Sequence, residues 1–102
     1  MLPSFFAGIS MLIDDQLEEK AELIKVIAHP VRLCIIRRLL ENPCNVSEMY
    51  QCLNTPQSTM SQHLTKLKSA RIIKGERYGT KICYRVINEQ VKSIIKTLFP
   101  LS

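Results

Sequence analysis

Residues 57–69 read Gln57-Ser58-Thr59-Met60-Ser61-Gln62-His63-Leu64-Thr65-Lys66-Leu67-Lys68-Ser69. At about 100° per residue on a helical wheel, Met60, Leu64 and Leu67 fall in one narrow arc. Ser58, Gln62, Thr65 and Ser69 fall nearly opposite, with Ser61 and Lys66 beside them. The spacing predicts a helix over 57–70 that buries one side and presents hydroxyls and amides, then lysines, on the other. Ser and Gln both donate and accept hydrogen bonds, as the edges of base pairs require. Lysines suit phosphates, and so do the free N–H groups of a helix N-terminus. An ordinary solvated helix face more often carries Glu–Lys pairs one turn apart. Here no acid occurs between Glu48 and Glu76.

Upstream, Asn54-Thr55-Pro56 reads as a tight turn, preceded by a short helix capped by Ser47 with Met49, Tyr50, Cys52 and Leu53 on its apolar side. His29-Pro30 and Asn42-Pro43 bracket a helix over about 30–41, with Leu33, Ile36, Leu39 and Leu40 inward. A first helix is capped by Asp14 or Asp15, with Glu18 and Glu19 near its positive end. Leu17, Ala21, Ile24 and Ala28 make one apolar stripe on it, and Leu23, Val26 and Ile27 make a second. Two apolar faces on one short helix need two surfaces to cover them, the core and something else.

Downstream of Arg71 the apolar period changes from helical to alternating. Ile72-Ile73 opens a strand, Tyr78-Gly79-Thr80 turns, and Lys81 to Ile87 returns, with Ile82, Tyr84 and Val86 alternating against Cys83 and Arg85. Arg77, Tyr78 and Lys81 crowd the tip. Asn88 caps a last helix striped by Val91, Ile94, Ile95 and Leu98, and Phe99 and Leu101 extend the stripe. The order describes a mainly α domain with a small β-hairpin (α+β), a winged helix-turn-helix. Residues 1–13 form an apolar N-terminal extension, and 14–102 form the winged helix-turn-helix DNA-binding domain.

A chain of 102 residues makes one small domain, and 46% hydrophobic with 23% charged residues suits a globular chain. The net charge of +5 is unevenly spread. Residues 57–85 hold seven bases and one acid, net +6, while residues 1–29 are net −3. An anionic partner is implied for the basic segment. No apolar run is long enough for a membrane span. No Lys or Arg precedes Lys20, so the apolar start does not read as a secretory signal. It reads either as an extension packing on a partner subunit or, if Met11 is the natural start, as ten surplus residues. Cys34, Cys44, Cys52 and Cys83 fit no common zinc spacing. They read as small buried hydrophobes in a reducing compartment. No nucleophile–base constellation and no Gly-rich phosphate loop is present, which argues against an enzyme, a cofactor or a small-molecule substrate.

His29-Pro30-Val31-Arg32, with Leu33 through Leu40, resembles the HP-x-R helix of ArsR/SmtB-type bacterial repressors. Gln57 through Leu64 resembles that family's recognition-helix signature, and Tyr84-Arg85-Val86 the end of its wing. The resemblance covers roughly residues 15–99. It implies a cytoplasmic, nucleoid-associated repressor, a homodimer through its first and last helices, binding double-stranded DNA at an imperfect inverted repeat. Interface residues would be Leu17, Ala21, Ile24, Val91, Ile94, Ile95, Leu98 and Phe99. Base edges would be read by Ser58, Ser61 and Gln62. Gln57, Thr59, His63 and Lys66 would position the helix on phosphates or adjacent bases, and Arg77, Tyr78 and Lys81 would anchor the wing.

Metal-sensing relatives place a Cys-x-Cys pair where this chain has Asn45 and Ser47, with Cys44 one residue off. Others use Asp and His on the last helix, yet no Asp follows Asp15 and no His follows His63. The chain therefore resembles the metal-independent (PagR-like) branch, which includes virulence regulators and thiol sensors. Thiol sensors pair a cysteine on the second helix with one near the end of the last. Here Arg37 stands at the former position and the last helix has no cysteine. Because the segment before the third helix can lie beside the return strand in winged folds, Cys44 and Cys83 are the candidate redox pair. The reading from a different class is a winged-helix module that docks a protein through an apolar face and reads no DNA.

Overall fold

The computed structural model describes residues 13–43 and 54–100. Helix α1 spans Asp15–Ile27. The Asp14 side chain caps it, accepting the Leu17 N–H at 2.9 Å, and Asp15 and Glu18 sit in the first turn where the helix dipole favours them. Helix α2 spans Pro30–Glu41. Proline suits the first helical position, and His29 adds a cap that sequence reading missed: its Nδ1 accepts the Val31 N–H at 3.1 Å. The short helix expected after Ser47 lies outside the described residues.

Helix α3 spans Gln57–Ser69 behind Pro56, which supplies no side-chain cap. The helix closes in a Schellman arrangement, with the Arg71 N–H bonded to the Lys68 carbonyl and the Ile72 N–H to the Leu67 carbonyl. Arg71 takes the left-handed conformation (φ 58°) that this closure needs. The chain then enters β1 (Ile73–Tyr78), turns through Gly79-Thr80, and returns in β2 (Lys81–Val86). Gly79 has φ 64°, which a two-residue hairpin loop favours. The strands are antiparallel, pairing Ile73 with Val86, Gly75 with Tyr84 and Tyr78 with Lys81. Helix α4 spans Glu89–Leu98, and the Asn88 side chain caps it by accepting the Val91 N–H at 3.0 Å.

The core joins Ile35, Ile36 and Leu39 of α2, Met60, Leu64 and Leu67 of α3, Ile72, Ile73, Tyr84 and Val86 of the hairpin, and Val91 and Ile95 of α4. Each large apolar side chain so buried contributes on the order of 1.5–3 kcal/mol. The inward face of α2 differs from the expected one. Arg32 and Ile35 are buried with Ile36 and Leu39, while Leu33 and Leu40 are only half-buried. The strand alternation is also corrected. Ile82 is exposed because it pairs with Arg77 beyond the edge of the core, and Cys83 is buried beside Tyr84, so β2 is covered on both faces there. Gly75 makes room for this packing, since a Cβ on it would lie 2.9 Å from the Tyr84 ring.

Candidate nucleic-acid interface

The core grips α3 by Met60, Leu64 and Leu67, all at most 4% exposed. The opposite face is therefore turned outward by the helical period alone. Gln57, Ser58, Ser61, Gln62 and Lys66 are exposed, and Thr59 and His63 are half-buried at its edges. Thr65 is withdrawn from this set, because its hydroxyl donates to the Ser61 carbonyl at 2.8 Å. With no side-chain cap at Pro56, the first-turn N–H groups of α3 remain available to an anion.

The hairpin continues the surface. Arg77, Tyr78 and Lys81 are exposed around the turn. The Tyr78 hydroxyl donates to the Glu76 carboxylate at 2.8 Å. That bond and the carboxylate's negative charge hold the Tyr78 phenol above its ordinary range. Two further cations of the basic segment, given no individual role in the sequence, join this surface. Lys74 and Arg85 are exposed and directly opposite each other across the strand pair. Like charges so placed repel, and an anion relieves them. Only the register reveals the pair, since the two residues lie eleven positions apart in the chain. None of the seven bases of residues 57–85 makes an ion pair among the described residues, where the ion pairs are Lys25–Glu22, Arg37–Glu41 and Lys92–Glu89.

His63 stands half-buried at the edge between the core and the exposed face of α3, with its Nδ1 3.2 Å from Arg32 Nη1. The His29 ring lies 4.6 Å away, centroid to centroid. Burial, with His29, Arg32 and Lys66 adding to it, pushes the His63 imidazole below its ordinary value.

A second surface has the opposite character. Leu17, Ile24 and Leu98 are between 52% and 58% exposed. Ala21 is also exposed, and Ile94 is half-buried. Lys20 Nζ donates to Gln90 Oε1 at 2.7 Å and ties α1 to α4 beside this surface. Two residues expected there do not reach it: Val91 (0% exposed) and Ile95 (2%) are spent in the chain's own core. Phe99 is half-buried, with the Arg37 guanidinium 4.4 Å from its ring centroid.

Cys34 is a half-buried free thiol, and Cys83 is disulfide-bonded, so the expectation of a buried free thiol fails at Cys83. Cys44 and Cys52 lie outside the described residues. Among the described residues no group of three His, Cys, Asp or Glu side chains is placed to hold a metal ion, and no helix is long and apolar enough to cross a membrane.

A helix gripped from behind, presenting hydroxyls and amides in front and flanked by a cationic hairpin, defines a winged helix-turn-helix DNA-binding protein. Comparison with known proteins narrows this class. Residues 27–76 match a helix-turn-helix domain family. The transcriptional repressor PagR of Bacillus anthracis is 44% identical over 86 residues, covering 83% of this chain and 86% of PagR. Its crystal structure matches with a TM-score of 0.71 over 81% of this chain and 95% of that one. The HTH-type transcriptional repressor SmtB of Mycobacterium tuberculosis is 37% identical over 79 residues, covering 78% of this chain and 58% of SmtB. HlyU from Vibrio cholerae matches with a TM-score of 0.78 at 28% identity, over 84% of this chain and 94% of that one. The chain belongs to the ArsR/SmtB family of winged helix-turn-helix transcriptional repressors, and its resemblance to PagR extends over most of its length.

Proposed function

We propose that this DNA-binding repressor works in the bacterial cytoplasm as a homodimer on an imperfect inverted repeat, without a metal signal. The observation that carries the reading is the pair of exposed surfaces: the polar, cation-flanked face of α3, and the apolar strip of Leu17, Ile24 and Leu98 on α1 and α4. A two-fold dimer joined through that strip sets two α3 helices into successive major grooves, about 34 Å apart. Ser58, Ser61 and Gln62 meet base edges, with Gln57, Thr59, His63 and Lys66 beside them. Arg77, Tyr78 and Lys81 hold the adjacent backbone. The residue types support independence from metal, because Asn45 and Ser47 stand where relatives carry a Cys-x-Cys pair. Selection of bound duplexes from a random pool, with sedimentation of the free protein, tests the reading. A selected inverted repeat and a dimer support it. A monomer with no retardation of any duplex at low salt favours the protein-docking module instead.

One observation favours a thiol-responsive variant of this reading. The disulfide-bonded Cys83 sits on the return strand of the wing, within the hairpin that holds the DNA backbone in this reading. Cys44 is the expected partner. Two thiols would yield two electrons and two protons to a hydroperoxide, which leaves as an alcohol and water, forming the S–S bond. Repeating the selection with and without a hydroperoxide, alongside peptide mapping of the disulfide, decides this variant. An unchanged affinity with an intact disulfide removes it.

A further inference from the structure

Arg32 is the buried charged residue among the described residues, only 8% exposed. Its Nε donates to the Val26 carbonyl near the end of α1, and its Nη1 stands 3.2 Å from Nδ1 of His63 in α3. A guanidinium carries five N–H donors, has no acceptor, and keeps its proton at any ordinary pH. In this contact the imidazole has to accept. Nδ1 therefore carries no proton, and the single proton of the neutral ring sits on Nε2. The lowered proton affinity of His63 agrees with a neutral ring. The His29 ring braces the arrangement from 4.6 Å, itself anchored by the Val31 N–H that its Nδ1 accepts. One node thus ties the end of α1, the start of α2 and the middle of α3. His63 Nε2 has no hydrogen-bond partner among the described residues, and no fully buried side-chain nitrogen or oxygen there lacks one, so this N–H is not sealed inside the half-buried residue. Thr59 and Lys66 lie one turn to either side of it on α3.

We propose that Arg32 is a positioning residue for DNA recognition: it fixes His63 as the Nε2–H tautomer and presents that N–H to a phosphate oxygen at the edge of the groove. His63 is among the DNA contacts expected from the sequence, and Arg32 is not. The inference rests on the DNA-binding reading and adds to it a buried group, out of reach of DNA, that sets the donor polarity of a contact residue.

The test begins with the unmodified full chain, free of DNA. Long-range proton–nitrogen correlation spectra of the labelled imidazoles distinguish the two tautomers directly. Nδ1 of His63 is expected to be unprotonated and Nε2 protonated. Binding is then measured on the duplex selected by the wild-type protein. His63→Gln places an amide N–H where Nε2 stood and retains affinity to within about threefold. His63→Asn places its amide nearer Nδ1 and loses about tenfold, the scale of one hydrogen bond to a charged acceptor. Arg32→Met gives a mixture of tautomers and a similar loss, and Arg32→Lys, which keeps a cationic donor, recovers part of both. If Arg32→Met does not fold, the wild-type spectrum and the Gln/Asn pair still decide. A proton on Nδ1 in the wild type, or equal losses in the Gln and Asn variants, overturns the inference while leaving DNA binding intact. A wild-type chain that retards no duplex overturns the DNA reading and this inference with it, and the tautomer spectrum is read independently of that outcome.

Discussion

Helices α1 and α3 are each thirteen residues long and pack on the same core, yet they show solvent opposite faces. Helix α3 buries Met60, Leu64 and Leu67 and exposes serines, glutamines and lysines. Helix α1 buries Ile27, half-buries Leu23 and Val26, and leaves Leu17 and Ile24 more than half exposed. Single exposed leucines are commonplace on protein surfaces. What differs on α1 is alignment, for Leu17, Ala21 and Ile24 recur at helical spacing and lie on the element tied to α4, where Leu98 is also exposed. The contrast separates two kinds of recognition. A face that avoids water asks for another protein surface, whereas a face of donors, acceptors and unpaired cations asks for a nucleic acid.

The largest expected effect breaks the α1 side of this contrast. Ile24→Glu combined with Leu98→Glu puts like charges into the proposed dimer contact. Sedimentation should then report a monomer, and affinity for the selected inverted repeat should fall by about two to four orders of magnitude as the second half-site is no longer held nearby. Retention of the dimer would move the interface elsewhere. Next in size is the hidden face of α3. Met60 is completely buried, so Met60→Ala should cost about 2–5 kcal/mol in urea unfolding. Ser58→Ala, on the exposed face of the same helix, should shift stability by less than about 0.5 kcal/mol.

A smaller and more selective effect is expected at the outer face itself. Gln62→Ala should cost about 1–3 kcal/mol on the selected site and little on unrelated duplexes, because it removes readout of base edges rather than charge. Lys81→Ala should do the reverse. It should weaken all duplexes alike and make the dependence of log affinity on log salt shallower by about one. An unchanged salt slope would place the wing tip away from phosphate.

The two helices also show why some of the site is legible in sequence and some is not. The α3 reading depends on period and polarity, which are local, and the boundaries differ from expectation only at the last residue. The two stripes of α1 were visible, but which of them enters the core depends on how α2 and α3 arrive, and no local pattern states that. The same reasoning covers α4. Val91 and Ile95 share a stripe with Ile94 and Leu98, yet the first two are buried and Leu98 is open. Lys74 and Arg85 meet only through strand register. Arg32 is the hardest case. A lone arginine between apolar residues reads as a surface residue snorkelling from a helix, and its burial makes sense only once Val26 and His63 are seen to accept its N–H groups.

That buried node yields the subtlest prediction, on stability rather than on DNA affinity. His63 is pushed below its ordinary value of 6.5 by burial, then by His29, Arg32 and Lys66. Of these neighbours, Arg32 faces it from α2 and His29 from the cap before α2, and Lys66 lies one turn along α3. Above pH 6.5 His63 is neutral in both the folded and unfolded chain and contributes no pH dependence. As the pH falls through 6.5 the unfolded chain takes up the proton first, so the folded state loses stability, and the loss levels off once the pH is below the folded value. The α1 strip contains no group that titrates in this range, so the effect belongs to the α3 side of the molecule. Urea midpoints measured between pH 7.5 and 5.5 should therefore decline in the wild type and decline less in His63→Gln, which cannot take up the proton. Equal declines in the two proteins would show that His63 is as readily protonated in the fold as in the unfolded chain, and the node around Arg32 would then hold no neutral imidazole.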